Sequence, residues 1–273
     1  MTTQQQKQQF EEDGFLVVED VLTPAELDAC EAEIYRLHQV TAKLEETEDP
    51  ALKHFQREPY AKDKEQDGLP VLRKIEQTRD FSVVFKDLAA HPNLVRVIQS
   101  LIGNDLLLFR STLMLKPAFH GSAHAFHQDS AYWPMDPPSL VTVSIALTES
   151  TSENGCIQVI PKSHKWGMKD WGLIAQNTEK AQANRDDVDT SGAIEVPLKA
   201  GSAVMFHSLT VHGSGPNKSP DARHTALYAY FPPTVKLVAR GNEATSRSFP
   251  VIAGLNGQES LTMTSVLDTS VTG

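Results

Sequence analysis

From residue 105 onward the chain is a run of short apolar or alternating segments, each closed by Gly, Pro, Asn or Ser: DLLLFRSTLMLKP, SLVTVSIALTE, GCIQVIP, AIEVPLKAGSAVMFHS and RHTALYAYFPP. Many short strands with turn signals and few helices between them fit a double-sheet barrel of the jelly-roll kind. The first hundred residues read differently. Thr23 is a good N-cap, Pro24 suits the first helical position and Glu26 closes a capping box, after which Leu27, Cys30, Ile34 and Leu37 recur at helical spacing. DFSVVFKDLAAHPNLVRVIQSLIG reads as two further helices split at His91-Pro92, with Gly103 as the stop. The expected fold class is mainly β with flanking helices: a double-stranded β-helix (jelly-roll or cupin-like) barrel supported by N-terminal helices. We expect a single domain over 1–273, with 1–104 as mainly helical support, 105–235 as the jelly-roll core and 236–273 as a C-terminal tail.

Two polar, charge-rich stretches interrupt this pattern, residues 41–70 and 165–192. Both are too long for ordinary connections, so the first reads as a lid or an insertion and the second as a loop over one mouth of the barrel. Composition narrows the partners. The formal charge of −10 works against non-specific binding to nucleic acid, yet a single inward Arg can hold a small anion inside an acidic protein. Cys30 and Cys156 share no metal-binding spacing and suit a reducing compartment. No run of about 18 apolar residues occurs, and the opening MTTQQQKQQFEEDG lacks the apolar stretch of a signal peptide. A cytoplasmic protein with a small-molecule substrate, and with neither nucleic acid nor membrane as partner, is the expectation.

In AFHQDSAYWP, His127 and Asp129 stand two apart, a spacing that places both side chains on one face of an extended strand. Two ligands hold a metal loosely, so a third is expected downstream, from His164, His207, His212 or His224. A His–carboxylate–His facial set leaves open positions on an octahedral ion, the arrangement of non-haem Fe(II) oxygenases. Such an enzyme needs a co-substrate in two of those positions and a cation for its far end. Arg223, eleven residues after His212 across a Gly/Pro/Asn turn, could grip a carboxylate with its two-pronged guanidinium.

HQDSAYWP, SENGCIQVIPKSHKWG and HGSGPNKSPDARHTALYAYF, in that order, resemble the phytanoyl-CoA dioxygenase (PhyH-type) family of Fe(II)/2-oxoglutarate-dependent oxygenases. The resemblance runs from FEEDGFLVVED to about Pro233. It implies that His127, Asp129 and His212 ligate Fe(II), that Arg223 binds the distal carboxylate of 2-oxoglutarate, and that Lys116 in LMLKPAF lies near that co-substrate. It also implies a dioxygenase that consumes O2 and releases succinate and CO2. Ile145 stands where some relatives carry Trp. Related halogenases replace the carboxylate ligand by a small residue, so Asp129 favours hydroxylation or desaturation.

His207 competes with His212 for the third position, but five residues apart on one strand the two would face opposite ways, and the offset from Arg223 favours His212. His120, His124, His164 and His224 read as structural or loop residues. Asn154 and Gly155 read as a tight turn. Tyr132, Trp133, Trp166 and Trp171 are the substrate-pocket candidates, because two flank the His-x-Asp and two sit in the polar loop after residue 165. Aromatic faces attract cationic head groups, and both polar stretches lack a long apolar surface. A small, polar or zwitterionic metabolite is the expected substrate. An acyl-CoA or a natural-product intermediate is the alternative with the same chemistry. A binding or regulatory protein without turnover, or a metal-binding cupin, is the alternative from another class.

Overall fold

Capping chemistry begins the long N-terminal helix where the sequence indicates. Thr23 Oγ1 accepts the Glu26 N–H at 3.3 Å while the Glu26 carboxylate accepts the Thr23 N–H at 2.8 Å. The computed structural model describes residues 3–169, 189–239 and 243–266. Its helices are α1 (Thr3–Asp13), α2 (Pro24–Glu46), α3 (Thr78–Phe81), α4 (Val83–Leu88) and α5 (Pro92–Ile102). The early strands are β1 (Phe15–Val18), β2 (Phe55–Arg57), β3 (Glu65–Gln66), β4 (Leu69–Pro70) and β5 (Leu72–Glu76). There follow β6 (Leu106–Lys116), β7 (His124–His127), β8 (Met135–Asp136), β9 (Val141–Ala146), β10 (Ile157–Val159) and β11 (Ile194–Val196). The last are β12 (Ala203–His207), β13 (His212–Ser214), β14 (Arg223–Phe231), β15 (Lys236–Leu237), β16 (Ser246–Ala253) and β17 (Ser260–Thr264).

The architecture is mainly β, of the jelly-roll class. A large antiparallel sheet runs β1-β12-β9-β14-β6-β16-β17, with β5 also on β6 and β2 on β5, and a smaller sheet runs β11-β10-β13-β7. β9 is buried on both faces. Val141, Val143 and Ile145 join the main core with Ile34 and Leu37 of α2, Phe85 of α4 and Leu94 and Ile98 of α5. Ser144 of the same strand, with Arg223 and Leu227 of β14, lines a cavity shared with His127 and His212 of the smaller sheet. Tyr228 and Tyr230 point to the helical side, where their hydroxyls donate to the Phe85 and Ala89 carbonyls at 2.8 Å. Each buried phenol is thereby satisfied, and α4 is tied to the sheet.

Three features depart from the sequence reading. β1 and β5, within the section expected to be helical, pair with β12 and β6 and widen the large sheet. Residues 41–70 are built into the fold rather than lying over it. α2 extends to Glu46, Phe55 is buried, and the fully buried Glu58 accepts from the Ser122 N–H at 3.2 Å and its hydroxyl at 3.1 Å. The section expected to be a tail carries the β16–β17 hairpin, which docks on β6 through Val251↔Leu107 and buries Phe249 against Phe109 and Phe231. No described helix is long and apolar enough to cross a membrane.

Candidate active site

The site forms where the smaller sheet meets the inner face of the large one. β13 pairs antiparallel with β7 so that His212 and His127 are Cα partners, and their rings lie 4.3 Å apart. Asp129 arrives by a different route from the one its spacing suggests. β7 ends at His127, and Asp129 opens a 3-10 turn (Asp129–Ala131) held by the Ser130 N–H donating to the Ser208 carbonyl at 3.0 Å. The turn brings Asp129 Oδ1 to 3.6 Å from His127 Nε2 and 4.0 Å from His212 Nε2. One ligand atom from each of the three lies within 4.8 Å of the others, and all three residues are buried.

The ring orientations follow from backbone acceptors. His127 Nδ1 lies 2.9 Å from the Ala125 carbonyl and His212 Nδ1 lies 2.9 Å from the Thr210 carbonyl. A carbonyl only accepts, so each Nδ1 carries a proton, and each Nε2 is the ring atom left facing the cavity. Burial, and then the charge of His127, pushes the His212 pKa down to about 4, which keeps it neutral. Burial raises the Asp129 carboxyl, but His212, His127 and the Thr142 hydroxyl at 2.7 Å outweigh it and hold the group well below the usual carboxylate range. Two imidazoles and one carboxylate in this arrangement would suit a divalent transition ion.

Arg223 is fully enclosed. Its Nη1 donates to the Gly155 carbonyl, while its Nε is buried with no partner among the described residues. Gly155 (φ +77°) makes that contact possible, because a Cβ there would meet the Gly215 carbonyl oxygen at 2.3 Å. Asn154 closes the same turn, its Oδ1 accepting the Thr151 N–H at 2.8 Å. Burial lowers the Arg223 pKa to about 10, still well above neutrality, so a full positive charge stands in a dry place with an unanswered N–H. Such a group calls for an anion.

The cavity, of about 120 Å³, is lined by His127, Asp129, His212 and Arg223, and by Tyr132 and Trp133. Other expected residues lie elsewhere. The Lys116 ammonium donates to the carbonyls of Ser122 (2.7 Å) and Gly215 and does not line the cavity, although Lys116 is the Cα partner of Arg223. Trp166 is 45% exposed on a short turn away from the cavity, and Trp171 lies outside the described residues. His207 packs by Phe10 and His164, and His224 bonds Glu31 at 2.7 Å. His124, read from sequence as structural, lines the cavity with its ring 4.9 Å from His127 and its Nδ1 accepting from Arg73 at 3.3 Å.

Sequence reasoning missed Lys74, Arg110, Ser144 and Ser214, all of which line the cavity. Ser214 carried a signal: it follows His212 by two on the same strand and so shares its face. Lys74 and Arg110 carried none, because their place depends on β5 pairing with β6 from a distant part of the chain.

Residues 10–225 match the family described as phytanoyl-CoA dioxygenase (PhyH). The ectoine dioxygenase of Streptomyces coelicolor is 28% identical over 82% of this chain and 75% of its own length. The peroxisomal phytanoyl-CoA dioxygenase of Mus musculus is 28% identical over 81% of this chain and 66% of its own. Among solved structures, the apo form of the non-heme monooxygenase ThoJ superposes with a TM-score of 0.71 at 24% identity, covering 96% of this chain and 86% of that one.

Proposed function

The chain belongs to the phytanoyl-CoA dioxygenase family and is an Fe(II)/2-oxoglutarate-dependent dioxygenase, and from that premise we propose that it hydroxylates a C–H bond of a small, polar, zwitterionic metabolite. The observation that carries the site assignment is the buried His127–Asp129–His212 set opening onto the same cavity as an enclosed, incompletely partnered Arg223. In this reading His127, Asp129 and His212 hold Fe(II), and Arg223 takes the distal carboxylate of 2-oxoglutarate. Lys74 replaces Lys116 as the second cation for the co-substrate. Lys74 lines the cavity and its ammonium has Glu76 as its one partner among the described residues, whereas that of Lys116 serves two backbone carbonyls.

Iron and 2-oxoglutarate together supply an oxidant made from O2 that takes hydrogen from a C–H bond, with succinate and CO2 as co-products. The protein's residues bind, orient and exclude water. The Ala125 and Thr210 carbonyls fix the imidazole tautomers, Thr142 orients the Asp129 carboxylate, and the β9–β14 face walls the cavity from solvent.

The two relatives named above act on very different molecules by their names, so neither decides the substrate. The polar part of the lining suits a polar one: Lys74, Arg110, Thr112, Ser144 and Ser214 stand beside Tyr132 and Trp133, with Met114, Ile157, Phe206 and Leu227 as the apolar part. Zwitterions such as amino acids, betaines and aminophosphonates are expected to stimulate succinate formation from 2-oxoglutarate, and acyl-CoAs to leave it unchanged. Stimulation by acyl-CoA alone would reverse the substrate assignment.

A further inference from the structure

β6 breaks its alternation beside the cavity. Ala229 of β14 faces Arg110, but Tyr230 faces Leu108, so Phe109 is an extra residue in a β-bulge. Before the bulge Leu107 and Phe109 pack on one side, with Met135, Phe231 and Trp133, while Leu106 and Leu108 join the helical core. After it Arg110, Thr112 and Met114 line the cavity while Leu113 and Leu115 face the helices. Two consecutive residues, Phe109 and Arg110, therefore turn to the inner side. A regular strand would send one of them to the helices.

The bulge sets Arg110 at a threshold. It lines both the inner cavity and an outer groove of about 780 Å³. Thr112 Oγ1 accepts its Nε–H at 2.9 Å and Glu76 accepts one Nη2 hydrogen at 3.3 Å. The other three N–H bonds of the guanidinium have no partner among the described residues. Phe109, at 4.9 Å from Trp133, braces the strand on the same side.

Charge complementarity says what this fork meets. The cavity lining holds three basic side chains, Lys74, Arg110 and Arg223, and one carboxylate, Asp129. Under the reading above, which this inference presupposes, Asp129 serves the metal, and Arg223 and Lys74 answer the two carboxylates of 2-oxoglutarate. Arg110 is the cation left over. Its pairing with Glu76 is shared, because the same Glu76 oxygen also bonds Lys74 at 2.5 Å.

We propose that Arg110 is the residue that reads the substrate: it binds an oxyanion of the substrate (carboxylate, phosphonate or sulfate) at the threshold of the cavity, and directs the remainder of the molecule inward past Tyr132 and Trp133. The bulge, by fixing Arg110 in place, fixes how far the oxidised carbon lies from the anionic group.

The test is binding to the Fe(II)- and 2-oxoglutarate-loaded enzyme under nitrogen, by calorimetry. The probes are a panel of amino acids, betaines and aminophosphonates, each paired with its ester or amide. At least one acid should bind the wild-type enzyme, with its neutral counterpart at least about tenfold weaker, the scale of one charge-assisted hydrogen bond. Arg110→Gln should erase that discrimination and Arg110→Lys should restore part of it, with the affinity for 2-oxoglutarate held in both variants. The proposal is overturned if no member of the panel binds, if acids and esters bind alike, or if Arg110→Gln keeps the preference. A loss of 2-oxoglutarate affinity in Arg110→Gln would also overturn it, by making Arg110 a co-substrate anchor. Failure of the wild-type protein to bind 2-oxoglutarate at all would overturn the underlying site assignment, and this inference with it.

Discussion

Arg223 and Lys116 are Cα partners across β14 and β6, yet their side chains meet opposite demands. The guanidinium is enclosed beside His127, Asp129 and His212 with an N–H unanswered among the described residues, while the ammonium ties Ser122 to Gly215. Arg223→Lys should raise the KM for 2-oxoglutarate by about tenfold or more, because Lys cannot present a planar two-point fork. Lys74→Met should raise the same KM. Lys116→Met should act chiefly on stability, at a cost of about 1–3 kcal/mol for two buried carbonyls losing their donor. Co-substrate titrations alongside thermal unfolding separate the three, and a KM effect confined to Lys116→Met would return the role to that residue. His127, Asp129, His212 and Arg223 could be picked out in the sequence because a two-residue spacing and an eleven-residue offset are local patterns. Lys74 and Arg110 could not, since a cation in a strand looks the same whether its face meets solvent or a cavity.

At the level of elements, turn and bulge chemistry decides more of the site than strand periodicity does. The His-x-Asp spacing suggested two ligands on one strand, whereas β7 stops at His127 and a 3-10 turn delivers Asp129. The capping box of α2 and the split at His91-Pro92 were legible because caps and prolines act locally. The β16–β17 hairpin was not. Its strand SRSFPVIA alternates weakly, and its anchor is the single aromatic Phe249, buried between Phe109 and Phe231. Phe249→Ala should therefore cost about 3–5 kcal/mol in urea unfolding, the range for removing a fully buried ring. A cost near zero would mean that the hairpin contributes nothing to the β6 edge.

Across the whole molecule, an acidic chain of net charge −10 has a cavity lined by three basic side chains and one carboxylate. That inversion suits an enzyme that draws a small dianion into a dry interior, and it is the reason the overall charge says so little about the ligand. The helices of the first hundred residues and the outer face of the large sheet form one core, which leaves the inner face free to carry polar groups. The central claim is that His127, Asp129 and His212 together make one iron site that drives turnover of 2-oxoglutarate. It is tested most directly by measuring succinate formation from 2-oxoglutarate, with and without Fe(II), in the wild-type protein and in His127→Ala, Asp129→Ala and His212→Ala, with the fold of each checked by circular dichroism. The account predicts iron-dependent succinate in the wild type and its loss in all three variants, because a three-ligand site missing one ligand loses its metal or its geometry. Wild-type turnover in a folded His212→Ala protein would contradict it.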